Sequence, residues 1–239
     1  MKRPSFEIFL RLGRVSNLPT VWTNVAAGMA LAGAPALPAV LLVLLALAAS
    51  LLYVGGMYLN DAFDAHWDAV HRPERPIPTG DVRAATVFVA GFAMLGAGVL
   101  LVAVATGGAS RPLIAALALA ALIVLYDVSH KGNPLAPVIM ALCRVTVYVL
   151  AALALTPAPP PGVFYLGAGA LLLYLVFLST LARKETLHPR LPKMIGSLVA
   201  GIALLDAAIL LLTGHGLACL VAACAFLVTR RAQRRVPGS

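Results

Sequence analysis

Charge is what this chain has least of. Only 11% of its residues are Asp, Glu, Lys or Arg, where a soluble domain carries roughly 25%. That scarcity, with 61% hydrophobic residues and a mean hydropathy of +0.95, excludes an ordinary soluble globule. Acidic residues are the rarer sign, 9 against 18 basic ones, for a net charge of +9. Cysteine is also sparse. Cys143, Cys219 and Cys224 lie in apolar runs and form no CxxC pair, which excludes a disulfide framework and a zinc site. No short charged-then-apolar leader with a small-residue cleavage site precedes a soluble body, so no removable signal peptide is expected. The basic residues neither interleave with aromatics nor fall in a DNA-reading motif, so nucleic acid is not an expected partner.

What the chain has in quantity is apolar runs. Eight are predicted near 15–33, 38–59, 82–106, 112–128, 135–155, 163–181, 194–213 and 216–229, the last of them short. A bilayer asks for roughly 17–25 residues per span. Counted from a cytoplasmic N-terminus, the Lys and Arg residues at 2, 3, 11, 14, 72, 75, 83, 131, 183, 184, 190 and 193 share one side with Arg230, Arg231, Arg234 and Arg235. Only Arg111 falls on the other side. That asymmetry predicts both termini inside. The expected fold is therefore all-α, a single polytopic domain over 1–239 with about eight transmembrane helices. Residues 1–13 read as an interfacial helix with basic anchors. Residues 230–239 read as a basic tail held to anionic membrane lipids.

The scarce acids are concentrated in one place. Asn60 to Gly80 reads NDAFDAHWDAVHRPERPIPTG. Helical spacing puts Asp61, Asp64 and Asp68 on one face, with Asn60 beside Asp64 and Asp68. Carboxylates that close repel one another unless a cation intervenes. Hard oxygen ligands suit Mg²⁺, which sits on one or two carboxylates and completes its shell with water and phosphate. Arg72 and Arg75 follow, and a guanidinium fork suits phosphate oxygens. Pro73, Pro76 and Pro78 stiffen the loop that carries them, and Thr79 or Asp81 is the expected cap of the next helix. Gly55 and Gly56 thin the preceding helix so that a neighbour can approach. A charged loop between two spans is ordinarily just solvated. The regular spacing, the position at a membrane exit and the arginines within one or two turns favour a metal–diphosphate site instead.

The run Asn60-Asp61-x-x-Asp64-x-x-x-Asp68, followed by Arg72-Pro-x-Arg75-Pro-Ile-Pro-x-Gly80, resembles the first aspartate-rich motif of the UbiA superfamily of intramembrane prenyltransferases. The opening SNLPTVWTN and the later YDVSHK are also similar to this family, and in particular to its bacterial UbiA-like EboC branch. The likeness extends from about Arg14 to Lys193. It implies a bacterial inner-membrane enzyme with its active site toward the cytoplasm, moving a polyprenyl group from its diphosphate to a small aromatic or cyclic polyol acceptor. It also implies that Lys131 binds the diphosphate and that Tyr126 faces the allylic carbon, where an aromatic face can stabilise a developing cation. His130 reads as a solvated loop residue. The family usually has nine spans and a second acidic motif. This chain stops one span short and offers only Glu185 there, between Arg183, Lys184 and Thr186. Either Glu185 holds a second Mg²⁺ almost alone, or Arg183 or Lys184 supplies the positive charge that metal would have brought.

Within the first span, Asn17, Thr20 and Asn24 recur at helical spacing, with Ser16 and Thr23 beside them. A polar stripe facing lipid is costly, so it should face inward, either for helix-to-helix hydrogen bonds or as a wall of an acceptor pocket. Pro19 is expected to bend this helix. Arg144 and Asp206 fall at similar depth in two later spans and should pair or share one cavity, with Arg144 the candidate acceptor anchor. Other readings stay open: a polyprenyl-lipid carrier without activity, or a terpene cyclase of the same superfamily. A CDP-alcohol phosphotransferase would need a DGxxAR run that is absent. A cation transporter would carry its acids near midplane on several helices.

Overall fold

The computed structural model describes residues 6–183 and 191–236, and among them every regular element is helical. In chain order these are α1 (Phe6–Leu12), α2 (Leu18–Leu31), α3 (Ala39–Phe63), α4 (Ala65–His71), α5 (Ala84–Ala105), α6 (Ser110–Ser129), α7 (Ala136–Leu155), α8 (Gly162–Ala182), α9 (Leu191–Leu212) and α10 (Gly216–Ala232). Six of them, α3 and α5 through α9, are long and apolar enough to cross a membrane. The remaining two apolar helices are shorter, α2 with 14 residues and α10 with 17.

The shortness of α2 has a local cause. Residues 15–17 form a 3₁₀ turn, and Pro19 then occupies the first turn of the α-helix. There its missing N–H costs nothing and its fixed φ favours the start. Pro19 therefore begins the helix rather than bending it. Despite its length, α2 is the hub, packing against α3, α7, α8, α9 and α10. Twelve of its residues are buried, and small side chains at Ala26, Ala27, Gly28 and Ala30 let so many neighbours close in.

The most extensive pairing is between α3 and α5. It runs through Gly55 and Gly91: a Cβ on Gly55 would sit 2.8 Å from the Gly91 carbonyl oxygen. Close backbone approach of this kind is how helices associate where lipid removes the hydrophobic drive. Gly56 gives the same freedom to α6, whose Ile123 fills the space a side chain would take. The capping expectation for α5 is not met. Arg83 is its N-cap and makes no side-chain cap, while the Thr79 hydroxyl turns to Asp81 and to the carbonyls of Arg75 and Pro76. The beginning of the expected basic tail is helical, with Arg230 and Arg231 in the last turn of α10.

Candidate functional site

One end of the bundle gathers the turn before α2, the α3–α4 joint, the loop after α6, and the ends of α8 and α10. The chain enters through Arg14, which adopts a left-handed φ of 43°. For a residue with a Cβ that conformation is strained and persists where the surroundings enforce it. Here it carries the guanidinium to Asp61 Oδ1 at 3.4 Å and to Met57 Sδ at 3.4 Å. At the other side of the mouth α3 ends at Phe63 and α4 begins at Ala65, with Asp64 as the hinge. The i, i+4 hydrogen bonds nevertheless continue, Asp64 N–H to Asn60 O and Asp68 N–H to Asp64 O. The helical register expected for the acids thus holds across the joint.

Their partners are specific. Arg75 donates through one nitrogen to Asp61 Oδ1 at 3.1 Å and to Asp68 Oδ2 at 2.9 Å. Lys131 Nζ lies 2.6 Å from Asp64 Oδ1, and His130 Nε2 lies 3.4 Å from Asp64 Oδ2. All three carboxylates are buried, Asp68 to 1% exposure. Burial pushes the Asp64 carboxyl up, but the hydrogen bonds from His130 and Lys131 outweigh it and hold the group below the usual carboxylate range. The same Asp64 contact raises the His130 imidazole above its ordinary value, against the opposing effect of burial. His130 is therefore part of the site rather than a solvated loop residue, and its ring stacks on Tyr126 with centroids 5.1 Å apart.

Other expected members take different positions. Asn60 donates to Asp127 Oδ1 at 3.2 Å. The Arg72 guanidinium lies 5.8 Å over the Trp67 ring. Arg183 donates to the Asn133 carbonyl at 2.6 Å, bracing the loop after α6 rather than joining the acids. Lys184 and Glu185 lie outside the described residues. Among the described residues no three Asp, Glu, His or Cys side chains close on one point as metal ligands do. Here Arg75 and Lys131 neutralise the acids. The donor chemistry still fits Mg²⁺, since Asp61, Asp64 and Asp68 offer only hard oxygens. Asp68 Oδ1 and Asp127 Oδ2 are buried with no hydrogen-bond partner, and a buried acceptor left unpaired costs about 1–3 kcal/mol.

Inward of the mouth lies a cavity of about 170 Å³, lined by Arg14, Asn17, Tyr53, Tyr126, Asp127 and Arg144 among mostly apolar side chains from α3, α6, α7, α8 and α9. Tyr126 thus faces the interior, at the boundary between mouth and cavity. Of the four residues expected to hold an acceptor, Asn17 and Arg144 line this space, while Thr20 and Asn24 are fully buried behind them. Thr20 and Asn24 hold Arg144 in place: Arg144 donates to Asn24 Oδ1 at 2.8 Å and to Thr20 Oγ1 at 3.2 Å. Its guanidinium also lies 5.3 Å over the Tyr53 ring. Of the two expectations for Arg144 and Asp206, a direct pair or a shared cavity, neither holds as such: Arg144 lines the cavity, Asp206 does not, and Asn24 bridges them by turning its Nδ2 to Asp206 Oδ2 at 2.9 Å. Asp206 is further satisfied by Thr23 and by the Tyr148 hydroxyl. Asn17 is held between Tyr53 and Gln233 of the C-terminal end.

Tyr53, Asp127, Arg14, Tyr148 and Gln233 join or brace the site without having been expected there. Asp127 carried a usable signal, an acid at the end of an apolar helix beside Tyr126. Tyr53 and Tyr148 carried none, since an aromatic in a span is ordinarily packing.

These features define a class: a helical membrane protein with a charged carboxylate–cation mouth over a largely apolar cavity. Residues 20–232 match the UbiA prenyltransferase family, and the chain belongs to it. It is 35% identical over 179 residues to a digeranylgeranylglyceryl phosphate synthase of Methanopyrus kandleri, a match that takes in 74% of this chain. The chain spans 60% of the length of that relative. A synthase of the same name from Ignicoccus hospitalis is 38% identical over 93 residues, covering 39% of this chain and 30% of the relative. Among solved structures, a UbiA homolog from Archaeoglobus fulgidus bound to DMAPP and Mg²⁺ superimposes with a TM-score of 0.62 at 18% identity, covering 92% of this chain and 84% of that one. A digeranylgeranylglyceryl phosphate synthase structure gives 0.60 at 15% identity, covering 96% and 94%. At those identities the superpositions bear on the fold alone.

Proposed function

We propose that this chain is a Mg²⁺-dependent prenyltransferase that moves a polyprenyl group from its diphosphate to a polar acceptor inside the membrane. The observation that carries the reading is the convergence of Asp61, Asp64 and Asp68 with Arg14, Arg75 and Lys131 at the mouth of a largely apolar cavity. A substrate with a charged head and a hydrocarbon tail matches both halves. The names of the relatives support prenyl chemistry, and the Archaeoglobus homolog is described with a prenyl diphosphate and Mg²⁺.

Asp61 and Asp64 would hold the metal, with Asp68 behind them. When bound, Mg²⁺ supplies positive charge to the diphosphate oxygens. Arg75, Arg14 and Lys131, released from the acids, turn to the same oxygens and stabilise the departing diphosphate. Arg72 and Lys131 both lie against the Trp67 ring. The Tyr126 ring faces the carbon left electron-poor as the C–O bond breaks. The apolar wall keeps out water that would otherwise capture that carbon. Arg144, Asn17 and Tyr53 position the acceptor. A guanidinium there suits a phosphate or hydroxyl group. Of the two acceptor classes, the glyceryl phosphate in the relatives' name and the cyclic polyol or aromatic expected from sequence, Arg144 favours an acceptor that carries an anion. In the membrane the mouth faces the cytoplasm, with eight helices across the bilayer and both ends inside, since the basic residues gather at the mouth end.

Purified protein incubated with Mg²⁺ and a labelled polyprenyl diphosphate tests this, with a glycerol phosphate prenyl ether in one arm and an aromatic or cyclic polyol in the other. A prenylated product that disappears in Asp64→Ala is the expected result. Diphosphate release without adduct in either arm would indicate a cyclase, and tight binding without release a carrier. Either result rejects the transferase reading. An adduct with the polyol alone would overturn the acceptor assignment and leave the transfer chemistry standing.

A further inference from the structure

The site asks two things of Asp64. In the structure it holds Lys131 at 2.6 Å; in the proposed reaction it would be a metal ligand. A carboxylate given to a divalent cation no longer neutralises an ammonium, so Lys131 needs a second anchor. That anchor must not carry negative charge, because it would repel the diphosphate. The loop after α6 places Lys131 Nζ 4.9 Å from the centroid of the Trp67 ring, and the Arg72 guanidinium sits 5.8 Å from the same centroid. The indole itself is fixed, with His71 stacked on it at 4.0 Å and 7° and bonded back to the Trp67 carbonyl at 3.0 Å. Trp67 is 39% exposed, on the seven-residue α4 between Asp64 and Asp68. An aromatic that only anchored the bilayer interface would not need two cations, from two different segments, against its ring.

We propose that Trp67 is a positioning residue for the diphosphate, an uncharged aromatic shelf that keeps Lys131 and Arg72 at the mouth when Asp64 is taken by the metal. The assignment rests on the metal–diphosphate reading above and adds to it a residue that touches neither metal nor substrate. Its action is through the cations, by attraction to the ring's negative face. Loss of that attraction should weaken diphosphate binding roughly 3- to 30-fold, the factor that corresponds to a partly desolvated cation–π contact.

The chain has two tryptophans, and Trp22 lies on α2, bonded to Ser50 and away from the mouth. A Trp22→Phe protein therefore reports Trp67 fluorescence alone. In that background, inorganic diphosphate with Mg²⁺ should change the Trp67 emission as Lys131 leaves Asp64, and Lys131→Met should change it without ligand. Calorimetric titration with the same probe should give a dissociation constant raised roughly 3- to 30-fold in Trp67→Leu and largely restored in Trp67→Tyr. With saturating prenyl donor, kcat should stay near the background value while the donor KM rises. Unaltered diphosphate affinity in Trp67→Leu, with binding lost in Asp64→Ala, overturns the shelf and leaves the functional reading standing. Trp67 emission indifferent to Lys131→Met overturns it as well, and needs no Trp67 variant to fold. Absence of diphosphate binding in the background protein removes both.

Discussion

Arg144 and Asp206 do not touch, yet they should behave thermodynamically as a pair. Asp206 is fully buried and accepts three hydrogen bonds, from Thr23 at 2.5 Å, Asn24 at 2.9 Å and Tyr148. Asp206→Ala removes all three bonds, leaves Thr23 only its bond to the Thr20 carbonyl, and frees the Asn24 amide, whose orientation is what turns a carbonyl oxygen toward Arg144. Interhelical hydrogen bonds in membrane proteins contribute about 0.6 kcal/mol each on average and up to about 1.7. Three of them, with the Arg144 charge left unbalanced, give a loss of about 2–5 kcal/mol. For a chain of this size that corresponds to a fall in melting temperature on the order of 10 °C. The assay is scanning fluorimetry of the purified protein in detergent, run on Asp206→Ala, Arg144→Met and the double variant. Removing both charges restores balance to the interior, so the double variant should be more stable than the sum of the two losses, by about 1–3 kcal/mol. If the two losses add to within about 0.5 kcal/mol, Asn24 transmits nothing and the bridge is only a set of adjacent contacts.

Other outcomes follow from single contacts. Gly55→Val should disrupt the α3–α5 pairing, since its Cβ would press on the Gly91 carbonyl at 2.8 Å; a melting-point loss corresponding to about 1–3 kcal/mol or more is expected, and an unchanged melting point would mean that α3 and α5 do not meet there. Tyr53→Phe keeps the ring beneath Arg144 and loses only the bond to Asn17, so the acceptor KM should change little, whereas Tyr53→Leu should raise it several-fold; equal effects would dismiss the ring contact. The His130–Asp64 pair adds pH dependence. His130 has a raised folded pKa, so its contribution is complete below its ordinary value of about 6.5 and is lost as pH rises through the folded value. His130→Gln should therefore flatten the stability profile at pH values above about 6.5, and a profile that keeps its shape would exclude the pair.

The helices were legible because hydropathy alone marks where a chain can avoid water. The run expected at 82–106 is α5 at 84–105, and that at 135–155 is α7 at 136–155. Length failed where a local residue intervened, as when Pro19 set the start of α2 after a 3₁₀ turn. Sequence brought the acids, Arg75 and Lys131 to one membrane exit, but it missed Arg14 and His130 and did not tell who holds whom. Both Arg72 and Arg75 follow the acids at short range, yet only Arg75 bridges two of them while Arg72 goes to Trp67. That choice depends on how the α3–α4 joint folds back, and spacing along one helix carries no such information. Lys131 reaches Asp64 only because the loop after α6 comes alongside α4. Arg144 and Asp206 were placed at equal depth, but the residue between them came from a third helix, and depth arithmetic on two helices has no term for it.

The central helix has a consequence for how the molecule is made. The partners of Thr20, Thr23 and Asn24 lie 120 to 183 residues further along the chain. During synthesis α2 leaves the ribosome before α7 and α9, with these groups and no Arg144 or Asp206 to receive them, and at 14 residues it reaches only about 21 Å. Short, and carrying Thr20, Thr23 and Asn24 unmatched, it gains its full set of partners only when α7 and then α9 arrive. Truncation ahead of α9 would leave α2 packed on α3 and α7 with Thr23 and Asn24 facing no Asp206, a polar face unmatched at the centre of the bundle.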